Sequence, residues 1–233
     1  MRAAVRKKRS PVPFDAAYFR KKAAVGERYS TAETFEYIYR ANHWSGKDSV
    51  SGEGSGLRQT AEIKKELITI VRELGVRVFL DLPCGDCGWM GGLELPVDAY
   101  IGGDIVPGLV EHNRRKYGDA RKTFLVLDII RDPLPAADLL FCRDCFVHLS
   151  LGDIMESLAN IRRSSVRYLL ATTFPECDAN EDILTGDWRV INLEKPPFNF
   201  PEPIRLINEK CTEGQGTYGD KSLGLWEVRS LAP

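Results

Sequence analysis

Short apolar runs recur along the middle of the chain, separated by stretches in which apolar residues return with a helical period. Runs of this length that end in polar or turn-forming residues are typical of strands buried on both faces of a sheet. Five runs lie in the central part of the chain and a sixth lies near its end: residues 76–81, 99–104, 123–128, 138–143, 166–173 and 222–228.

The stretches between these runs predict helices. Within residues 63–74 the apolar positions recur at offsets of 4, 7, 8 and 11, and Gly75 follows where a helix would end. Residues 107–118 begin with proline and end with glycine, and residues 150–161 begin with the spacing of a capping box. A shorter aromatic-rich helix is expected over residues 34–39. Strands that alternate with helices favour an α/β fold with a mainly parallel sheet.

Composition and charge exclude several classes of protein. The 233 residues carry a net charge of −1, so no overall field draws the chain onto nucleic acid or anionic lipid. No apolar run approaches the roughly 18 residues that span a bilayer, and the first residues lack the apolar core of a signal peptide. Six thinly spread cysteines favour a reducing, cytoplasmic location. We therefore expect no membrane partner, and nucleic acid is a disfavoured one.

The beginning of the chain is a local exception to this charge balance. Its basic residues precede the first acidic residue, Asp15, and we expect residues 1–30 to form a flexible basic tail. Residues 31–233 are predicted as a single domain. The basic residues that precede Asp15 are Arg2, Arg6, Lys7, Lys8 and Arg9.

Polar residues cluster where the predicted strands end, which is where open parallel sheets bind ligands. The first run ends at Asp81 and continues into a turn of small residues that lets a ligand approach the backbone. The second run ends at Asp104, whose carboxylate can accept two hydrogen bonds from a ribose diol. The third ends at Asp128 and Ile129, which suit the exocyclic amine and the face of an adenine.

This order of residues resembles the class I S-adenosylmethionine (SAM)-dependent methyltransferases over about residues 58–173. The blocks DLPCGD, CRDCFVHLS and PPFNFPEP further resemble a group of small methyltransferases. The resemblance implies a Rossmann-like, seven-stranded, mainly parallel sheet flanked by helices, with SAM as cofactor. It also divides the domain into an N-terminal lid (31–57), a SAM-binding core (58–173) and a substrate-side loop with C-terminal strands (174–233).

The resemblance also assigns parts of SAM to residues. Asp81 and the backbone around Gly85 would face the methionine part, Asp104 the ribose, and Asp128 with Ile129 the adenine. Pro83 and Cys87 stand where the family has glycine, so the turn is bulkier than usual, and Trp89 is expected to lie against the cofactor or the substrate. The predicted cofactor-binding residues are Asp81, Pro83, Cys84, Gly85, Asp86, Trp89, Asp104, Ile105, Asp128, Ile129 and Arg143.

The strand that ends in CRDCFVHLS supplies the predicted catalytic residues, because this strand reaches the methyl group most readily in such an architecture. Asp144 is the first choice for orienting or deprotonating the acceptor, since a carboxylate also favours a neighbouring sulfonium. His148 is the second choice, with an ordinary pKa of about 6.5, and the alternative for it is a histidine that bonds the backbone at a helix entry. Arg143 would bind an acidic group of the substrate or pair with Asp144 or Asp86.

Two outer segments are expected to close over this site. One is the loop at residues 43–56, which is rich in glycine and serine, and the other precedes and includes KPPFNFPEP. The second segment is expected to form a rigid extended wall. The predicted substrate contacts are Trp44, Ser49, Ser51, Ser55, Trp188, Arg189 and Phe198.

Other readings of the same motifs remain open. Residues 83–88 read PCGDCG, which departs from the G-x-G-x-x-G of nicotinamide-binding domains. Two CxxC pairs, Cys84 with Cys87 and Cys142 with Cys145, have zinc-site spacing. A metal there would occupy the place of the methionine end of SAM, so none is expected.

The function favoured by the sequence is methyl transfer to an oxygen or nitrogen atom of a small molecule, such as a natural-product intermediate or a sugar. An RNA or protein methyltransferase that uses the basic tail is the first alternative. A non-catalytic SAM-binding module is the second.

Overall fold

A computed structural model of the chain describes residue 9 and residues 12–231. Their strands form one sheet, and five α-helices accompany it. The strands are β1 (Val78–Asp81), β2 (Ala99–Asp104), β3 (Lys122–Val126), β4 (Leu139–Cys142), β5 (Tyr168–Thr173), β6 (Arg205–Asn208) and β7 (Ser222–Glu227). The helices are α1 (Tyr18–Ala24), α2 (Thr31–Ala41), α3 (Ala61–Glu73), α4 (Pro107–Tyr117) and α5 (Leu151–Arg163).

The seven strands lie in the order β3-β2-β1-β4-β5-β7-β6. The first five are parallel to one another, and β7 runs antiparallel to both of its neighbours. This topology confirms the predicted seven-stranded, mainly parallel α/β sheet. Because β1 pairs with β2 on one side and with β4 on the other, the strand order reverses at β1, and a crevice opens at the carboxyl ends of these strands.

The sheet is buried on both faces, as continuous apolar strands predict. Along β4, Leu140 and Cys142 belong to one hydrophobic core, and Leu139 and Phe141 belong to the other. Since successive residues of a strand point to opposite faces, each face of the sheet has its own core. The two cores hold the strand ends rigidly, so the polar residues that follow them are fixed in place.

Two elements were not predicted from the pattern. Strand β6 lies at the edge of the sheet, where Leu206 is exposed and only Ile207 is buried, so it lacks the apolar run of the inner strands. Helix α1 lies inside the segment predicted as a tail. Its Phe19 is only 4% exposed, and the backbone N–H groups of Phe19 and Arg20 donate to the carboxylate of Asp187.

The prediction that residues 1–30 form a flexible tail is therefore corrected for those of them that the structure describes. The side chain of Arg9 is also fixed in place, because its guanidinium donates two hydrogen bonds to the carboxylate of Asp220, at 2.7 and 2.8 Å. Packing of Phe19 and pairing of Arg9 with a distant carboxylate are tertiary effects that charge patterning does not reveal. The other four basic residues that precede Asp15, namely Arg2, Arg6, Lys7 and Lys8, lie outside the described residues.

Within the described part of the chain, none of the helices combines the length and the apolar character that crossing a membrane requires.

Candidate functional site

A cavity of about 1110 Å³, partly open to solvent, lies at the carboxyl ends of β1, β2 and β4. We call it the first cavity. Asp81, Asp104 and Asp128 all line it, each at or just after the end of its strand. Every residue that the sequence predicts as cofactor-binding lines this cavity. The parallel sheet therefore brings together residues that are separated by up to 62 positions along the chain.

The turn after β1 is shaped by Gly85, which adopts the left-handed conformation with φ of +53°. A Cβ atom there would collide with Ser51 Oγ, so a side chain at this position would displace Ser51 and strain the backbone. The Gly85 N–H donates to Asp104 Oδ2 at 3.0 Å, and Asn113 Nδ2 of α4 donates to the Gly85 carbonyl at 2.7 Å. Asp104 and Asn113 thus fix the path of this turn from two sides.

Asp104 is buried, and burial raises the pKa of its carboxyl to about 6. Its Oδ1 accepts from the Val106 N–H and its Oδ2 from the Gly85 N–H. A carboxylate has about four lone-pair positions, so two remain for hydroxyl groups of a ligand in the cavity. At Asp128, Oδ1 accepts from the Ile130 N–H, and Oδ2 has no hydrogen bond within the described part of the chain.

Among the acidic residues of the first cavity, Asp81 has the carboxyl pKa that is shifted furthest from its ordinary value. It is 3% exposed, and burial raises the pKa of its carboxyl to about 7. Its Oδ2 accepts a 2.6 Å hydrogen bond from the hydroxyl of Tyr100, which favours the ionised form and offsets part of the burial effect. A cationic group of a ligand would supply the charge that this buried carboxylate lacks.

The loop predicted as a lid docks on the turn after β1. Ser51 Oγ accepts from the Asp86 N–H at 3.2 Å, and the Asp86 carboxylate accepts from the Val50 N–H at 3.1 Å. Ser51 and Ser55 line the first cavity, whereas Ser49 is buried and bonds the Ser51 N–H within the loop itself. The lid therefore covers the first cavity in this structure.

An ionic network lies beyond β4. Arg143 is buried and donates to both carboxylate oxygens of Glu209, at 3.1 and 2.8 Å, and to the Gly54 carbonyl of the lid. Its guanidinium also lies 3.3 Å from Asp144 Oδ2, so of the two pairings expected from sequence the structure shows Asp144 and not Asp86. Lys221 donates to Asp144 Oδ2 at 2.7 Å.

These cations change what Asp144 can do. Burial by itself raises the pKa of the Asp144 carboxyl, but the charges of Lys221 and Arg143 outweigh it and hold the pKa far below its ordinary range. A carboxylate this acidic is a weak base, so of the two roles expected for Asp144 the charges around it favour orientation over deprotonation. The ionised carboxylate of Asp144 can still orient the acceptor and stabilise a positive charge. Asp144 also has a left-handed backbone, with φ of +52°, and its N–H donates to Thr172 Oγ1.

His148 stands beside Asp144 and stays neutral. Burial lowers the pKa of its imidazole to about 4. Its Nδ1 lies 3.1 Å from the Asp187 carbonyl oxygen, an arrangement that places the proton on Nδ1 and leaves the lone pair on Nε2. The ring stacks on Trp44, with centroids 4.4 Å apart. His148 thus makes the expected backbone bond and still keeps one unprotonated nitrogen, Nε2.

A second cavity of about 700 Å³, partly open to solvent, adjoins the first. The two cavities share four lining residues: Trp44, Ser51, Asp144 and His148. The remaining wall of the second cavity comes from residues 12–14, from the lid, and from Trp188, Tyr218 and Lys221. The N-terminal segment and the lid thus enclose a space that opens onto Asp144 and His148.

Besides Ser49, two predicted substrate contacts line neither cavity. Arg189 donates to the carbonyl oxygens of Phe146, Leu149 and Glu181, which uses its guanidinium to fix the backbone after β4. Phe198 is buried in the core against the sheet and lines neither cavity. The segment that contains Phe198, which was expected to form a rigid wall of the site, therefore packs against the core instead. The contact with substrate that was expected of Arg189 and Phe198 is corrected accordingly.

The cysteines do not form a metal centre in the described part of the chain. All six are free and buried, and no group of three or more histidine, cysteine or acidic side chains there has the arrangement of a metal site. The hydrogen bond between Cys84 and Cys87, together with burial, raises the pKa of the Cys84 thiol well above its ordinary value. Such a thiol stays protonated and unreactive.

Sequence reasoning missed the partners that complete the ionic network. Glu209 follows β6 and Lys221 precedes β7, so both come from the C-terminal hairpin. Neither residue stands in a recognisable motif, and their partners lie 66 and 77 positions away in sequence. The missed residues of the second cavity include Phe14, Phe174, Glu213 and Tyr218.

Comparison with known proteins bears on the fold. No model of a protein family matches the chain, and no curated protein matches it. Among solved structures, it is similar to the N-methyltransferase NodS from Bradyrhizobium japonicum WM9, with 12% identity over 73% of this chain and 97% of that chain and a TM-score of 0.56. The chain has the Rossmann-like methyltransferase fold.

A second solved structure with this fold is human N-acetylserotonin methyltransferase, which was crystallised in complex with SAM. The identity is 12%, the match covers 85% of this chain and 56% of that chain, and the TM-score is 0.54. At this identity the likeness concerns the fold, so activity must be argued from the site itself.

Proposed function

We propose that this chain is a SAM-dependent methyltransferase that acts on a small molecule. The proposal rests on the observation that the first and second cavities adjoin each other at Asp144 and His148. A cofactor in the first cavity and an acceptor in the second would approach each other at these two residues. Alignment of reacting groups in this way contributes about 7 to 11 kcal/mol to catalysis.

The residues of the first cavity fit SAM. Asp81 offers a buried carboxylate with one hydrogen bond, which suits the ammonium of the methionine part. The free lone pairs of Asp104 suit the two ribose hydroxyls, and Asp128 Oδ2 with the apolar side chain of Ile129 suits the adenine. Gly85 keeps the turn after β1 free of a side chain.

When bound, SAM supplies a methyl group on a positively charged sulfur, and the electron pair of the broken carbon–sulfur bond stays on that sulfur. His148 has the role of accepting the proton that the acceptor loses, through Nε2. Asp144 remains ionised and stabilises positive charge between the cavities. Arg143 acts as a positioning residue, because it ties Asp144 and Glu209 to the Gly54 carbonyl of the lid.

The shape and charge of the second cavity support a small acceptor over RNA. A polynucleotide needs an open, positively charged surface, whereas this cavity is a pocket, only partly open to solvent, that residues 12–14 and the lid border. Its lining carries three acidic residues, Glu53, Asp144 and Glu213, against one basic residue, Lys221. Arg9, the one basic residue before Asp15 that the structure describes, is paired with Asp220. Six free thiols support the proposed cytoplasmic location.

Calorimetry with SAM and with its demethylated product, S-adenosylhomocysteine (SAH), tests the cofactor. We expect both to bind, and we expect Asp104→Ala to weaken both by at least about tenfold through loss of the ribose contacts. Absence of heat with the wild-type chain would overturn the proposal. Incubation with methyl-labelled SAM and a size-fractionated cell extract tests the acceptor. Label in the small-molecule fraction is expected, and label in RNA or protein would contradict the small-molecule assignment.

A further inference from the structure

The wall of the second cavity is unusually aromatic. Its rings come from separate parts of the chain: one precedes α1, one lies in the lid, and three follow β5. Tyr218 packs edge-on against both Phe174 and Trp188, with centroids 6.3 and 5.3 Å apart. Aromatic rings prefer such offset or edge-on contacts with a further ring. The five rings are those of Phe14, Trp44, Phe174, Trp188 and Tyr218.

The ionic network that borders this cavity through Asp144, Glu213 and Lys221 is negative overall. Lys221 Nζ lies 2.7 Å from Asp144, 3.6 Å from Glu209 and 3.8 Å from Glu213. A single ammonium group therefore forms ion pairs with three carboxylates. Arg143 supplies a second positive charge, which its two hydrogen bonds commit to Glu209. Three carboxylates against two cations leave this network with one net negative charge.

Two carboxylates of this network and the ammonium of Lys221 converge on Gly54, where the lid has no side chain. A Cβ atom at Gly54 would lie 3.3 Å from each of Asp144 Oδ2, Glu213 Oε2 and Lys221 Nζ. Asp144 is also one of the residues shared with the first cavity. An acceptor that fills the aromatic part of the second cavity would therefore present its polar end to Asp144, next to the place where the cofactor's methyl group is proposed to lie.

We infer that the acceptor is an aromatic amine, bound as a cation with its ring between the aromatic walls and its nitrogen at Asp144 and Glu213. This inference rests on the proposed methyltransferase function and names its substrate class. Aromatic faces and carboxylates both attract a cation. An acidic or phosphorylated acceptor would meet a net negative network whose two cations are already paired.

The nitrogen is then the atom that receives the methyl group. The bound ammonium first loses one proton, which leaves through His148 Nε2 to solvent. The freed lone pair forms the new nitrogen–carbon bond while the carbon–sulfur bond breaks and its electron pair remains on sulfur. The product is a methylated ammonium, so its charge stays matched to Asp144.

Binding of simple probes to the SAH-loaded chain tests this inference by calorimetry. We expect phenethylamine to bind at least about tenfold more tightly than phenylacetate, which has the same ring and the opposite charge. Cyclohexylethylamine keeps the charge and lacks the aromatic ring, and it should bind several-fold more weakly than phenethylamine. Equal binding of the amine and the acid, or binding of neither at the highest soluble concentration, overturns the inference.

A matched pair of variants locates the recognition. Glu213→Gln removes one carboxylate of the network without creating a void and should reduce the preference for the amine several-fold. Glu202→Gln makes the same change on an exposed residue away from the cavity and should leave the preference unaltered. An unchanged preference in Glu213→Gln contradicts the assignment. SAH is titrated first in every case, so failure of the cofactor to bind is separated from failure of the amine preference.

Discussion

At the scale of single residues, Asp81 shows how a buried carboxylate can be tuned for a cationic ligand. Its only hydrogen-bond donor among the described side chains is the hydroxyl of Tyr100. Burial raises the pKa of its carboxyl to about 7, so the group is only partly ionised at neutral pH. A bound ammonium would lower that pKa and complete the ionisation.

The first prediction follows from this balance. Below about pH 7 Asp81 is neutral and loses its attraction for the ammonium of SAH, so we expect the affinity to fall by up to about tenfold for each pH unit. Calorimetry between pH 5.5 and 8 measures this. Asp81→Asn should bind weakly and lose the dependence near pH 7, whereas Asp104→Asn should keep it. A constant affinity across the range would contradict the prediction.

The second prediction concerns His148, whose neutral imidazole is proposed to take the acceptor's proton. His148→Gln keeps a polar side chain without a basic nitrogen and should slow methyl transfer by about 100-fold. The dissociation constant for SAH should change by less than about twofold. Transfer of labelled methyl into the small-molecule fraction measures the rate. His112→Gln, an exposed change on α4, is the control, and equal rates for both variants would exclude a role for His148.

At the scale of elements, the lid and the turn after β1 depend on each other. Ser51 of the lid accepts a hydrogen bond from the Asp86 N–H and lies against Gly85, so movement of either element would break this contact. This contact joins residues 35 positions apart. A ligand in the first cavity would be covered by the lid through the same contact.

The third prediction tests this coupling. In Gly85→Ala the new methyl group would lie 2.2 Å from Ser51 Oγ, and the backbone there has a positive φ. We expect a loss of about 1 to 3 kcal/mol in stability, together with at least about tenfold weaker SAH binding. Denaturant unfolding and calorimetry measure the two effects. Gly92→Ala is the matched control, because a Cβ atom there meets nothing within 4 Å. Similar behaviour of the two variants would refute the coupling.

At the scale of the whole molecule, the N-terminal segment is fastened across the C-terminal part of the fold. Arg9 reaches Asp220 across 211 positions of sequence, and its guanidinium lies over the rings of Phe174 and Tyr218. Both partners are well shielded from solvent, with side chains 12% and 4% exposed. Between Arg9 and α1 the chain crosses the second cavity with residues 12–14.

The fourth prediction follows from this arrangement. Arg9→Ala removes the bidentate, shielded ion pair and should lower the free energy of unfolding by about 1.5 to 3 kcal/mol. Lys21→Ala removes an exposed pair with Asp15 from the same segment and should cost less than about 1 kcal/mol. Unfolding in urea gives both values. SAH binding should be unaffected in Arg9→Ala, and a destabilisation no greater than that of Lys21→Ala would refute the fastening role.

The sequence by itself determined every strand of the sheet except the edge strand β6, and it determined the rim of the first cavity. Both depend on local pattern: apolar runs define the strands, and Asp81, Asp104 and Asp128 stand where those strands end. Parallel strands place their carboxyl ends at one edge of a sheet, so a residue's position within its own strand already fixes its place in the cavity.

The tertiary structure alone decided the chemistry between the two cavities. Asp144 is as visible in the sequence as Asp81, but its acidity depends on Lys221, which is 77 positions away. Likewise, Arg143 is committed to Glu209 and Arg189 to backbone carbonyls. Electrostatic interactions depend on distance in space and on burial, and neither is encoded in the local pattern that forms strands and turns.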